Sequence, residues 1–358
     1  MKPIAFYALA VATAAVVVAA GFAGAERYAK DERPAFQERV FPVLSARVND
    51  ATAIEAISSD TTVQLRRTNG GWVLADRDNY PGNADRVAKV LLELSELRRM
   101  EPKTALEKRY VRLNLQDPKA PDSRSRQIRV LDGAGTVLAD TIVGRIRPAL
   151  GVGADGVYVR LPGDPRAWST VGTVEIGRDV SDWVDRTVVD YDPEAIRRIR
   201  LVHPDGTAIA FVKSSREDAT FVVEGLAKDA PLKEGARTEI ERVSDAFRAF
   251  DMWDVRARKG ELAEGAYRAE METFEGLILR LAFRREEQFY WGQFEAAVDR
   301  AAAEAAGKLA ETERAAADLE TRLGPWTYRF ATYIGDRLAA KPGDFLPPPA
   351  NSATPAAR

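Results

Sequence analysis

The stretch GVGADGVYVRL, residues 151–161, decides the fold. Its first six residues, Gly151 to Gly156, have the spacing G-x-G-x-x-G of a dinucleotide-binding loop. Such a loop works between a strand and a helix, because the helix N-terminus holds the pyrophosphate. Here the glycines run into Val157, Tyr158 and Val159, β-branched and aromatic residues of the kind that favour a strand. No helix is expected to begin there. The glycines are instead expected to allow positive φ in a hairpin connection from the preceding GTVLADTIVGRIR, residues 135–147.

Working outward, the hairpin belongs to a plan that occurs twice. In the first half, TTVQLRR (61–67) and WVLAD (72–76) flank the turn signal NGG. Asn83 then caps a helix whose Val87, Val90, Leu91, Leu94 and Leu97 share one face, with Pro102 as its stop. In the second half, IRRIRLV (196–202) and TAIAFVK (207–213) flank HPDG, and TFVVEG (220–225) follows. A second helix presents Ile240, Val243, Phe247 and Phe250, closed by DMWD with Trp253 packed on the sheet. RQIRVLD, the GTVLADTIVGRIR strand and GVYVRL then align with EGLILRLAFR, EQFYWGQFE and WTYRFATY, setting Val143-Gly144-Arg145 against Trp291-Gly292-Gln293. The predicted fold is α+β: two repeated units of mostly antiparallel sheet with a packed helix, residues 51–188 and 189–345.

Two segments stand outside this plan. Residues 3–24 carry no charge and suffice, at ~1.5 Å per residue, to span a ~30 Å hydrocarbon core. They are read as an uncleaved transmembrane anchor followed by a linker, 25–50, although Ala23-Gly24-Ala25 resembles a signal cleavage site. Arg27, Lys30 and Arg33 after the segment outnumber Lys2 before it, and that charge count alone would put the body in the cytoplasm. The second segment is the alanine-rich Glu295–Gly324, the insert 296–323, expected as one long helix or a helical hairpin hinged near Gly307. Val298, Ala302, Ala305, Leu309, Thr312, Ala316, Leu319 and Leu323 alternate spacings of four and three, the seam of a coiled coil. Glu304 and Lys308 flank it as an i,i+4 pair. The seam either covers its own unit or serves as the contact for a partner, another envelope protein or a second copy of the chain. The Pro- and Ala-rich tail, 346–358, is expected to be disordered.

Composition narrows the chemistry. A net charge of −2 gives no footprint for nucleic acid, and no cysteine is present for a thiolate metal site or nucleophile. One histidine, His203 in a turn, is the sole source of imidazole. Asp182 and Asp185 in SDWVDR form the one carboxylate pair suggestive of a hydrolase, but their spacing equally suits a helix capped by Ser181 and a surface pair with Arg186. The aromatics Phe289, Tyr290, Trp291 and Phe294 are split between the two faces of one strand. No cofactor, metal or catalytic residue is assigned.

GGWVL, YPGNADRV, IVGR with GVYVRLPG, VSDWVDRTVVDYDPEAIRRIRL and GPWTYRFATY, in that order over most of residues 50–340, resemble the domain-of-unknown-function family numbered 4340. The resemblance implies one N-terminal membrane helix in a bacterial inner membrane, a body facing the periplasm, and partners among ABC transporter components of the gliding-motility type. It carries no catalytic residues. The expected function is a non-catalytic accessory or scaffold of an ABC-type envelope system. The alternative is a module that presents a lipid or glycan to the transporter.

Overall fold

The computed structural model describes residues 38–149, 154–262 and 265–347. The expected anchor (3–24), Gly151 and Gly153, and the tail from residue 348 lie outside them. Among the described residues no helix is long and apolar enough to cross a membrane. The chain forms two compact units. One comprises the described residues up to Gly70 with Ala84–Arg178; the other comprises Gly71–Asn83 with the described residues from Asp179 onward. Residues 71–83, expected in the first half, therefore belong to the second unit.

The strands in chain order are β1 (Ala51–Ile57), β2 (Thr62–Thr68), β3 (Gly71–Leu74), β4 (Tyr80–Pro81), β5 (Arg98–Pro102), β6 (Arg126–Asp132), β7 (Val137–Arg147), β8 (Gly156–Arg160) and β9 (Ala167–Val171). They continue as β10 (Thr187–Val189), β11 (Ile196–Val202), β12 (Ala208–Val212), β13 (Val222–Val223), β14 (Phe250–Ala257), β15 (Tyr267–Thr273), β16 (Leu277–Glu286), β17 (Phe289–Val298) and β18 (Trp326–Phe330). Within the first unit the order across the sheet is β2-β1-β6-β7-β8-β9-β5, and every pairing is antiparallel. The second sheet runs β10-β14-β18-β17-β16-β15-β11-β12-β13, also antiparallel. Alternation along the strands explains why each sheet has a covered face. In β16, Leu277, Leu279, Leu281 and Phe283 are buried while Arg280 and Arg284 are exposed.

The two orders coincide when β1, β2, β6, β7, β8, β9 and β5 are matched with β11, β12, β15, β16, β17, β18 and β14. The repeat is thus present in the strand order, but one strand out of step with the expected alignment. EGLILRLAFR corresponds to GTVLADTIVGRIR, not to RQIRVLD. The strand passed over is β15: Arg268, Glu270 and Glu272 on it disguise a partner that buries Ala269 and Met271. The insert consequently lies between β17 and β18, the counterpart of the β8–β9 connection, and not at the place of the glycine stretch.

The glycine question resolves on β8. It starts at Gly156 and pairs antiparallel with β7, Val143 opposite Val159, so a strand and not a helix follows the glycines. Gly156 does not have positive φ. A Cβ there would lie 1.9 Å from the Thr170 carbonyl oxygen. This glycine is required by close backbone approach to β9, a correction to the expected role in a left-handed turn.

The helices are α1 (Pro42–Ala46), α2 (Ala84–Glu96), α3 (Ala236–Asp245), α4 (Arg300–Ala305), α5 (Leu309–Leu323), α6 (Thr332–Leu338) and α7 (Pro342–Phe345). In the first unit α2 buries Val87, Val90, Leu91 and Leu94, the expected face, and packs on α1. It ends at Glu96, so Pro102 closes β5 and is not the helix stop. In the second unit α3 ends at Asp245, and Ala249 at φ 46° turns the chain into β14. Phe250 and DMWD are therefore strand. Trp253 is 48% exposed and does not pack on the sheet. The core of this unit is aromatic: Phe250 meets Phe294 edge-on at 5.2 Å, and Tyr290 stacks on Phe330. Gly335 lets α6 lie on the Tyr290 ring, which a Cβ would approach to 2.1 Å.

Candidate functional site

The insert is two helices, α4 and α5, broken at Gly307 with φ 67°. The break separates Glu304 from Lys308, which pairs instead with Glu311 at 2.7 Å. Asp299 starts α4 by accepting the Ala302 amide. The seam divides accordingly. Val298 is the last residue of β17, Ala302 and Leu309 are half-buried, and Ala305 is exposed. Ala316, Leu319 and Leu323 are buried together with Thr312, and α5 packs on β16 and β17 of its own unit. These three residues are thus not available to a partner, because the apolar stripe of a short surface helix covers the sheet beneath it.

The carboxylates of SDWVDR are structural. Asp179, not Ser181, starts the short 3-10 turn Val180–Trp183 in a reciprocal capping box with Asp182. Asp185 accepts a hydrogen bond from the Asn83 side-chain amide at 2.5 Å, and Arg186 pairs with Asp251. The reading of these two carboxylates as an acid–base pair loses its support, since both are exposed and each is engaged separately, Asp182 within the turn and Asp185 by Asn83. His203 is in the expected turn, edge-on to Tyr267 at 4.7 Å. Of the aromatic run, Tyr290 and Phe294 face the core, while Arg329 lies over Phe289 and Arg256 over Trp291. The Tyr290 hydroxyl donates to Asp336, and burial followed by that bond pushes its pKa up to about 12.

One surface of the second unit gathers chemistry that sequence reasoning did not single out. Arg200, Glu270, Arg280 and Glu295 stand opposite one another on β11, β15, β16 and β17, a ladder of alternating charge across four strands. Arg280 pairs with Glu270 at 2.8 Å, and Arg258 pairs with Glu295 at 2.7 Å. These residues line a cavity of about 310 Å³ beside the chain at Glu261 and Leu262. Gln293, 4% exposed, fastens that chain: its carbonyl accepts the Leu262 amide, and its amide donates to the Gly260 carbonyl and the Thr327 hydroxyl. Among the described residues Arg200 and Arg268, both lining this cavity, have no acidic partner. Period-two spacing of charges on β15 and β16 was the available signal, but the pairing order needed to join them was hidden by the one-strand misalignment.

Beside this ladder, Glu272 is buried on β15 and shares Arg197 with Asp299, which lies 3.5 Å from that guanidinium. Burial, the largest effect, raises the Glu272 carboxyl, and the neighbouring Asp299 adds to it; Arg197 opposes both. Among the described residues no three acidic or histidine side chains converge as a metal site. The arrangement can hold a polar or charged group against a sheet face.

No curated protein and no solved structure matches the chain. A family model does match, over residues 72–266, which takes in the β3–β4 hairpin, the helix after it, the glycine stretch and β8, the SDWVDR turn and the start of the second sheet. The chain belongs to the family described as Domain of unknown function (DUF4340).

Proposed function

We propose that this chain is a non-catalytic, single-pass accessory or scaffold protein of an ABC-type envelope transport system. Residues 3–24 would hold it in the inner membrane and its two sheet units would face the periplasm. The observation that supports this best is where the reactive side chains go. Asp182 holds a turn, Asp185 accepts from Asn83, His203 packs on Tyr267, and Glu270 and Glu295 are tied in ion pairs. A body whose carboxylates and histidine are engaged in its own architecture suits a role in assembly. The transporter link rests on the family resemblance. Cross-linking in the native membrane, purification and identification of the products tests it. Transporter subunits joined to this chain are the expected result, and a chain joined only to itself speaks against it. A C-terminal reporter enzyme that works only in the cytoplasm should be active if the body is inside and silent if it is outside; silence is expected.

A second reading, a ligand-presenting module, is favoured by the cavity of about 310 Å³ on the second sheet. Its charged lining suits a polar glycan better than an acyl chain. Loss of glycan binding on Arg268→Ala would support that reading over the first.

A further inference from the structure

The first unit carries a cavity of about 300 Å³ whose charged lining is of one sign: Arg124, Arg126, Arg145 and Arg178, with no acidic residue among the lining side chains. The strands bring these arginines together. Arg126 opens β6 and pairs with Val143 on β7, two residues before Arg145. The opposite wall is the turn ending at Asn114, whose backbone is left-handed. It can approach β7 because residue 144 is glycine; a Cβ there would stand 2.2 Å from the Leu113 carbonyl oxygen.

The hydroxyls around the cavity are committed to the wall. Ser125 donates to the Gln116 carbonyl at 2.8 Å and lies 2.9 Å from the Ser123 hydroxyl. Ser58 bonds the carbonyls of Thr61 and Arg178. Recognition therefore falls to the guanidinium groups. Arg178 is paired with Asp60 at 3.1 Å, and Arg145 lies over the Tyr158 ring. Arg124 and Arg126 have no acidic partner among the described residues. The contrast with the second unit is informative. There, Arg280 on β16 pairs with Glu270 on β15, and Arg258 pairs with Glu295 on β17, so the chain supplies counter-charge to two of the arginines that line its cavity. Here it supplies Asp60 to Arg178 and, among the described residues, none to Arg124, Arg126 or Arg145.

We propose that this cavity binds a phosphate monoester, with Arg124 and Arg126 gripping its oxygens and Arg145 completing the positive field. Guanidinium forks match the spacing of phosphate oxygens, and three cations without acidic partners favour a dianion over a single carboxylate. The ester could be a soluble metabolite or the headgroup of an anionic lipid, and both share this chemistry. The proposal is independent of the accessory role above.

The test is calorimetric titration of the full chain in neutral detergent. One arm uses inorganic phosphate; the other uses phosphatidic acid in mixed micelles, against phosphatidylcholine. Binding of phosphate assigns a soluble ester, and binding of phosphatidic acid alone assigns a headgroup. In either case Arg124→Ala with Arg126→Ala should weaken binding at least about 100-fold. Lysine at both positions should restore part of it, and Arg200→Ala with Arg268→Ala should leave it unchanged. If the double alanine variant does not fold by circular dichroism, Arg145→Ala alone should cost about tenfold. The proposal is overturned if neither phosphate compound binds, or if the cavity variants bind as the parent does.

Discussion

Replacing Gly156 with alanine separates a glycine needed for close approach from one needed for a turn or a nucleotide. The added Cβ would lie 1.9 Å from the Thr170 carbonyl oxygen and 2.9 Å from an Arg147 guanidinium nitrogen. The first atom is backbone and cannot swing away, so β8 and β9 must separate. That movement also strains the Thr170 hydroxyl, which accepts the Val157 amide at 3.0 Å and donates to the Val157 carbonyl at 2.9 Å. Overpacking costs about 1–3 kcal/mol, and each strained hydrogen bond about 1 kcal/mol. The expected loss is about 3–5 kcal/mol. With a urea dependence of about 2 kcal/mol per molar, the midpoint falls by roughly 1.5–2.5 M. Trp168 on β9 reports the transition in the first unit by fluorescence. Gly163→Ala is the comparison: its φ is +82° but no atom lies within 4 Å of the new Cβ. It should cost only about 1 kcal/mol, from the left-handed backbone alone. A Gly156→Ala midpoint within about 0.3 M of the parent, or a larger loss at Gly163, would refute this reasoning.

Further outcomes are expected elsewhere. Leu323→Ala should destabilise the second unit by about 2–4 kcal/mol in urea unfolding, because Leu323 is 2% exposed; an exposed docking seam would lose less than about 0.5 kcal/mol. Gln293→Leu should cost about 2–3 kcal/mol and raise amide exchange at residue 262, because it leaves the Leu262 amide and the Gly260 carbonyl without their partner. Tyr290 is neutral in the fold and its pKa is raised to about 12, above an unfolded value near 10. Its stabilisation is therefore whole below about pH 10 and is lost as pH rises towards about 12. Tyr290→Phe should shrink the fall in urea midpoint across that window, and an unchanged fall would show that the hydroxyl does not titrate there.

The repeat was legible because apolar alternation and the two amphipathic helix faces are local signals. Val87, Val90, Leu91 and Leu94 marked α2 without help from the fold, and Val157 to Val159 marked β8. What failed was pairing. Glu270 and Arg280 lie on separate strands, and only the register sets them opposite each other. β5 and β14 were taken for helix ends, since Leu97, just before β5, and Phe250, the first residue of β14, continue the apolar spacing beyond the last helical turn. The insert seam showed the helices but not what they cover, because a stripe facing its own sheet and one facing a partner have the same periodicity. The arginine cavity left no local trace: Arg126 and Arg145 come from different strands, and Arg178 lies beyond β9.

The shared strand order can be measured directly, because a chain without cysteines reports introduced disulfides cleanly. Glu55 faces Arg129 across β1–β6, and Arg200 faces Glu270 across β11–β15, strands far apart in sequence. Glu55→Cys with Arg129→Cys, and separately Arg200→Cys with Glu270→Cys, should each close an intramolecular disulfide under mild oxidation. Glu55→Cys with Val130→Cys, one residue out of register and on opposite faces, should stay reduced. Closure of both in-register pairs is the predicted result; an in-register pair that stays reduced while the offset pair closes would contradict the account.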